Sequence, residues 1–263
     1  MTSHAVVWWH RLLRAIAVLN LALWSLSALA VARAHAGQMQ LLLSAVYVSG
    51  CAFRSLLPVF DAPRLVLVDS RLSSVLVGRS VATVAELCFA AQWALILHRT
   101  AELSGSSFVQ AVSLGLVPLI ALAEGCSWHA VLTTAQRGHV VENSMWGLAA
   151  ALVVASMLVI GPHRLAALHP LMIAWGVGGA AYVAFIFFFD VPMYRSRWLA
   201  DQANGRQYLS IADGALDIWR RWTVSYRWED WKNEVLWMSL YFTLGVWSSI
   251  SLVYASLALL RQR

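Results

Sequence analysis

The chain has 263 residues and a formal net charge of +6, and 60% of its residues are hydrophobic while only 12% are charged. Soluble proteins carry about 25% charged residues, so this composition excludes a soluble enzyme, a disordered chain and a disulfide-stapled secreted domain. The 14 tryptophans are also unusual, because tryptophan concentrates where a membrane meets water. The sequence therefore predicts an integral membrane protein with several spans.

Seven apolar runs along the chain are long enough to cross a bilayer as helices. They are continuous rather than alternating, which indicates helices and not strands. The predicted fold class is all-α: a polytopic transmembrane bundle of seven helices in one domain, residues 1–263. Pro58 and Pro118 should kink or end the second and fourth helices. The predicted spans are 15–33, 39–60, 79–98, 107–131, 140–161, 170–190 and 234–259.

The N-terminal segment has an alternative interpretation. Arg11 and Arg14 precede the first apolar run, and Ala34-His35-Ala36 resembles the small-residue motif of a signal-peptide cleavage site. We interpret the segment as a transmembrane helix, because the apolar run is long and contains Trp24.

Two connections between the predicted spans are long. Residues 61–78 are expected to form a short amphipathic piece. Residues 191–233 are rich in arginine and tryptophan, which predicts an interfacial amphipathic segment along the lipid headgroups; a soluble loop with packed tryptophans is the alternative. With seven spans, arginine and lysine are in excess on the side of the N-terminus, mainly because of 191–233, and this predicts a cytoplasmic N-terminus.

The expected partner is membrane lipid, and a larger membrane complex stays open as a second partner. The sequence has no glycine-rich phosphate loop and no nucleic-acid-binding signature, so nucleic acid is not expected. Cys51, Cys88 and Cys126 lie far apart in or near apolar runs, which predicts free thiols.

Polar residues enter the predicted spans at one end of the bundle. Of the 13 acids, all but Glu102 lie on the side of the N-terminus or in the adjacent halves of the spans. Ionisable groups near the centre of a membrane cost at least about 2.5–3.5 kcal/mol each, so they should face inward. The sequence therefore predicts a polar cavity, open to the side of the N-terminus, as the functional site.

Three kinds of chemistry fit the candidate residues. Acid–base catalysis would use Glu124, Glu142, His129 and His139, with Glu124 and Glu142 as the preferred pair because they flank the 132–139 turn. Ligand binding would use Arg54 and Arg79 to grip an anionic group, and the remaining ligand candidates are Glu86, Asp190, Asn143 and Trp128. A divalent metal (zinc, iron or manganese) would take His139, Glu142 and His129 as ligands, although no HExxH motif is present.

The same residues also fit a purely structural role, in which the arginines neutralise the acids between helices. The functional hypotheses are a membrane-embedded enzyme or lipid-handling protein, a non-catalytic scaffold or subunit, and a small-solute or proton-coupled transporter. The transporter hypothesis lacks the paired Gly or Pro interruptions that such proteins carry within their spans.

Overall fold

The structure, a computed structural model, describes residues 4–34, 37–161 and 169–260. His35 and Ala36 of the alternative cleavage motif lie outside the described residues. Residues Arg71–Ser73 form a short 3-10 turn, and residues Ile186–Asp190 and Tyr241–Gly245 form two π-helical segments. The helices and strands are α1 (His4–Ala34), α2 (Gln38–Leu56), β1 (Val59–Phe60), β2 (Leu65–Val66), α3 (Val75–Ser104), α4 (Ser107–Thr133), α5 (Gln136–Ile160), α6 (His169–Phe185), α7 (Val191–Ala203), α8 (Ile211–Arg220), β3 (Thr223–Val224), α9 (Trp228–Leu240) and α10 (Val246–Leu260).

Within the described residues, seven helices are long and apolar enough to cross a membrane, which confirms the predicted all-α bundle. Large apolar side chains on these helices are exposed, such as Leu158 and Phe188, each 76% exposed. A soluble monomer rarely exposes so much apolar surface, whereas lipid tails cover it at no cost. The chain is therefore a multi-pass integral membrane protein.

Several helices extend beyond the apolar runs that predicted them. The third candidate span covers Val75–Ser104, the sixth covers His169–Ala203 and the last covers Trp228–Leu259. The prediction that a connection begins at residue 191 was wrong, because α7 continues the helix of α6 through the first π segment. Hydropathy falls in these extensions while the backbone hydrogen bonds of the helix continue. The lengths of the apolar runs therefore underestimate the lengths of the helices.

The two prolines act differently. Helix α2 ends at Leu56, just before Pro58, as predicted, whereas Pro118 lies inside α4 without ending it. The amphipathic character predicted for residues 61–78 stays a prediction. These residues contain β2, which pairs antiparallel with β1 and parallel with β3, followed by the 3-10 turn and the start of α3.

The described residues form two compact units. The first contains residues up to Phe89 together with Ala212–Val253. Its core centres on Trp231, which is fully buried and lies with its ring centroid 5.7 Å from that of Trp9. The Trp231 indole donates a hydrogen bond to the Ser225 carbonyl, so its polar atom is satisfied inside the core. This packing fixes α9 against α1.

The second unit contains Ala90–Ile211 and the end of α10. Helices α4 and α5 are antiparallel neighbours in it, joined by a tight turn. A Cβ atom at Gly138 would lie 2.6 Å from the Cys126 carbonyl oxygen and 2.7 Å from Ala130 Cβ, so glycine is required for this close approach. The turn itself passes through Thr134, which has φ 62°. The first turn of α5 is thereby held against the last turns of α4.

A buried asparagine in the first unit satisfies the backbone of the second π segment. Asn20 on α1 donates its amide to the Phe242 carbonyl at 2.6 Å and accepts a hydrogen bond from the Trp247 indole at 3.0 Å. A π segment leaves a carbonyl without its usual intrahelical partner, and water is not available to replace it in lipid. Asn20 supplies a buried donor to one carbonyl of this segment, that of Phe242.

We expect Asn20→Leu to lower the free energy of unfolding by about 1–3 kcal/mol, the penalty of leaving buried polar groups unsatisfied. The measurement is SDS-induced unfolding of the purified protein, followed by tryptophan fluorescence. Ser25→Ala is the matched control, because the exposed Ser25 hydroxyl donates to the Leu21 carbonyl of its own helix. Equal stability of the two variants would contradict the assigned role of Asn20.

Candidate functional site

The predicted site residues fall into both units. Arg54, Arg79 and Glu86 belong to the first unit. The second unit contains the others: Glu124, Trp128, His129, His139, Glu142, Asn143 and Asp190. Within each unit, one group of these side chains is held together by hydrogen bonds.

In the first unit, Glu86 on α3 is the centre of a buried polar network. Its Oε2 atom accepts a hydrogen bond from Arg79 Nη2 at 3.0 Å, and its Oε1 atom accepts one from the Tyr241 hydroxyl at 2.9 Å. Arg79 and Glu86 are 5% and 8% exposed. Their spacing of seven residues places both on one face of α3.

The second π segment brings Tyr241 to this network. Tyr241 is its first residue, and Tyr47 of α2 packs edge-on against the Tyr241 ring at 6.2 Å between centroids. Tyr47 also stacks on Phe89 at 4.6 Å. A Cβ atom at Gly245 would lie 2.7 Å from the Tyr47 hydroxyl, so the glycine makes room for Tyr47 beside the π segment.

Arg54 has a different carboxylate neighbour. Its Nη2 atom donates to the Val59 carbonyl at 3.1 Å and lies 3.7 Å from an oxygen of Asp61. Arg54 therefore secures the connection after α2, while Arg79 is engaged by Glu86. The shared anion clamp of Arg54 and Arg79 stays a prediction.

In the second unit, His139 and Glu142 form a buried pair one helical turn apart on α5. His139 Nδ1 and Glu142 Oε2 are 2.8 Å apart, and each residue is 8% exposed. Asn143 donates its side-chain amide to the His139 carbonyl at 2.9 Å. Their spacing of three residues places both side chains on one face of α5.

The surroundings of the pair come from the first π segment and α7. The Tyr194 ring lies 5.0 Å from the His139 ring, and the Arg197 guanidinium carbon lies 5.4 Å from the Tyr194 ring centroid. Asp190, the last residue of the π segment, interacts electrostatically with Glu142, His139 and Arg197. The site thus combines an imidazole, two carboxylates, a phenol and a guanidinium.

Local backbone features place these groups. Pro192 has no N–H to donate to the carbonyl four residues earlier, and this accounts for a π segment directly before it. A Cβ atom at Gly147 would lie 2.7 Å from the Phe187 ring and 2.9 Å from Ile186. The π segment therefore packs directly on α5, near the helix turn that carries Glu142.

The other predicted residues lie along the end of α4. Glu124 is buried, Trp128 is half-buried and His129 is exposed. Glu142 has His139 as its hydrogen-bond partner, and the acid–base pair of Glu124 with Glu142 stays a prediction. Within residues 4–34, 37–161 and 169–260, no group of three or more His, Cys, Asp or Glu is arranged to hold a metal ion. The assignment of His139, Glu142 and His129 as ligands of a divalent metal stays a prediction.

The sequence analysis did not select Tyr194, Arg197 or Tyr241 as site residues. A signal for Tyr194 was present, because it follows Asp190 by four residues and so shares its side of a helix. Arg197 was assigned to the interfacial connection, since hydropathy ends the sixth span at residue 190. The contact of Tyr241 with Glu86 joins residues far apart in the sequence, so the spacing of residues within one helix does not predict it.

We expect Glu86→Gln to lower the free energy of unfolding by about 3–5 kcal/mol, because it removes the carboxylate charge that lies 3.0 Å from the buried Arg79 guanidinium. The double variant with Arg79→Gln should lose less than Glu86→Gln alone, since it also removes the guanidinium charge that Glu86 balances. Chemical or SDS unfolding of the purified proteins gives the values.

Glu102→Gln is the control for a solvent-exposed ion pair. The Glu102 side chain is 47% exposed beside Arg99, so its loss should change stability by about 0–1 kcal/mol. Additive losses for the two first-unit substitutions would show that Arg79 and Glu86 are not energetically coupled.

Comparison with protein-family models, with curated proteins and with solved structures finds no match to this chain. The function is therefore argued from the site itself.

Proposed function

We propose that the chain is a membrane-embedded enzyme that performs acid–base chemistry on the polar head of a membrane lipid, with His139 as the base and Glu142 as the group that orients it. The observation that carries this proposal is the buried contact of 2.8 Å between His139 Nδ1 and Glu142 Oε2.

The contact supports one tautomer of His139. With the proton on Nδ1, the ring donates a hydrogen bond to Glu142 Oε2, and Nε2 is the ring nitrogen that can accept a proton. Among the described residues, His139 Nε2 has no hydrogen-bond partner. It can therefore take a proton from a water molecule or a substrate hydroxyl.

The position of the His139–Glu142 pair inside a candidate span supports a functional role over a purely structural one. His139 and Glu142 belong to the candidate span Gln136–Ile160, and ionisable groups within transmembrane segments are expensive and usually functional. Two neutral, apolar residues would pack there at lower cost. Retaining a histidine and a carboxylate in this place is therefore better explained by chemistry than by stability.

The neighbouring charges support a lipid headgroup as the substrate. Arg197 supplies a guanidinium, the preferred side chain for binding phosphate or carboxylate, and Asp190 offers a second carboxylate close to the pair. The pair lies in the first two turns of α5, at the end of its span. The arginine and lysine excess on the side of the N-terminus supports the cytoplasmic leaflet as the location.

A second candidate function is proton-coupled transport. The π segments Ile186–Asp190 and Tyr241–Gly245 interrupt the regular hydrogen bonding of two candidate spans, and π segments often mark functional sites. The first ends on Asp190, and the second begins at Tyr241, which contacts Glu86. Transporters use irregular helices of this general kind to place ionisable groups inside the membrane.

The test is conversion of lipid by the purified protein. A total polar lipid extract is incubated with the protein in nanodiscs, and mass spectrometry identifies any lipid that is consumed. His139→Ala should slow the conversion by about 10²–10⁴-fold, the usual contribution of a general base. Glu142→Gln keeps the size and hydrogen-bonding capacity of the side chain but removes its charge, and it should also slow the reaction.

His98→Gln is the matched control, because His98 is partly exposed and hydrogen-bonds Gln110 away from the proposed site. It should convert lipid at the rate of the unmodified protein. No lipid conversion, together with Glu142-dependent proton uptake into proteoliposomes, would replace the enzyme proposal by transport. Full activity of His139→Ala would also overturn the proposed role of this residue.

A further inference from the structure

We propose that α8 is a membrane-surface anchor, whose outward face inserts among the lipids and whose flanking arginines select anionic phospholipid headgroups. This inference concerns a surface of the first unit and is independent of the chemistry proposed for His139.

One side of α8 is fixed to the protein. Gly214 and Ile218 are buried, and Asp217 accepts a hydrogen bond from Arg64 Nε at 2.9 Å. Arg64 is only 2% exposed, so this ion pair lies in the interior. After α8, the Thr223 N–H bonds the Arg64 carbonyl and β3 joins β2. The helix is therefore held in one orientation.

The opposite side of α8 is apolar and exposed. Ala212, Leu216 and Trp219 follow one another at i, i+4 and i+7, which places them along one stripe of the helix. Leu216 is 56% exposed and Trp219 is 45% exposed, and Ala212 and Ala215 are exposed beside them. The polar residues Asp213, Asp217 and Arg220 share the remaining side at i, i+4 and i+7, so α8 is an amphipathic helix of the kind that lies at a membrane surface.

The charges near α8 are complementary to an anionic surface. Arg64 and Arg221 both pair with Asp217, with Arg221 Nε at 2.8 Å, so two cations meet one acid. Arg220 and Arg227 are exposed, and no ion pair of either side chain occurs in the part of the chain that the structure describes. Each arginine close to an anionic membrane surface contributes about 1 kcal/mol of attraction.

Lipid is the occupant that these features favour. The exposed stripe ends in a tryptophan that is followed by two arginines, a combination of ring and cation that suits the headgroup region. The chain already spans a membrane, so an anchor on its surface needs no further binding partner. If a second copy of the chain covered this face instead, that copy would have to present acidic side chains to Arg220 and Arg227.

The experiment attaches a bimane fluorophore at Ala215→Cys, in a variant whose Cys51, Cys88 and Cys126 are replaced by alanine. Asp213→Cys is the matched control, because positions two residues apart point to opposite sides of a helix. The protein is reconstituted in vesicles whose phospholipids carry bromine on their acyl chains. Bromine should quench the label at position 215 several-fold more strongly than the label at position 213.

The preference for anionic lipid is measured by comparing fluorescence quenching in vesicles in which only one lipid class carries bromine. Brominated phosphatidylglycerol should quench the label at position 215 more than brominated phosphatidylcholine at the same mole fraction. Replacing Arg220 and Arg227 by glutamine should reduce this preference by about fivefold per arginine, while Arg220→Lys keeps it. Equal quenching at positions 213 and 215, or quenching that requires a second copy of the chain, would overturn the proposal.

Discussion

The structure depends on one constraint: a polar or charged side chain inside a membrane needs a partner, because water is not there to solvate it. Glu86 illustrates how the chain meets this constraint, since both of its carboxylate oxygens accept hydrogen bonds from side chains of the first unit. In the second unit His139 and Glu142 satisfy each other across one helical turn. The two groups nevertheless differ in what they can do. The Glu86 carboxylate accepts hydrogen bonds from an arginine and a tyrosine, whereas His139 Nε2 has no hydrogen-bond partner among the described residues.

The two π segments meet the same constraint on the backbone. Each widens a helix by one residue, which redirects the side chains that follow and loosens the local hydrogen bonding. At the second segment, the Asn20 amide compensates by binding the Phe242 carbonyl. At the first, Pro192 explains the irregularity by its missing N–H. In both cases the redirected residues belong to the polar groups: Asp190 ends the first segment and Tyr241 begins the second.

The sequence predicted the number and type of the spans because bilayer thickness imposes a minimum length of apolar helix. Helical periodicity also places His139 and Glu142, like Arg79 and Glu86, on one face of a helix. The pairings proposed from the sequence were different, because they joined Glu124 with Glu142 and Arg54 with Arg79 across helices. Helix ends were predicted poorly, because α7 carries Arg195 and Arg197 on a helix that hydropathy could not follow. The contacts of Tyr194 with His139 and of Arg64 with Asp217 join distant parts of the chain. No periodicity contains that information.

The first unit is assembled from two stretches of sequence separated by residues 90–211. Trp9 packs on Trp231, Asn20 binds Phe242, and β2 pairs with β3, so the early helices complete their contacts only with residues made much later. At a synthesis rate of about 5–20 residues per second, the ribosome needs on the order of ten seconds to reach them. During that interval the Asn20 amide has to remain in the membrane or at its surface without its final acceptor. The contacts that complete the first unit can therefore form only after residues 212–253 have been synthesised, so α1 and α2 precede their final partners by most of the chain.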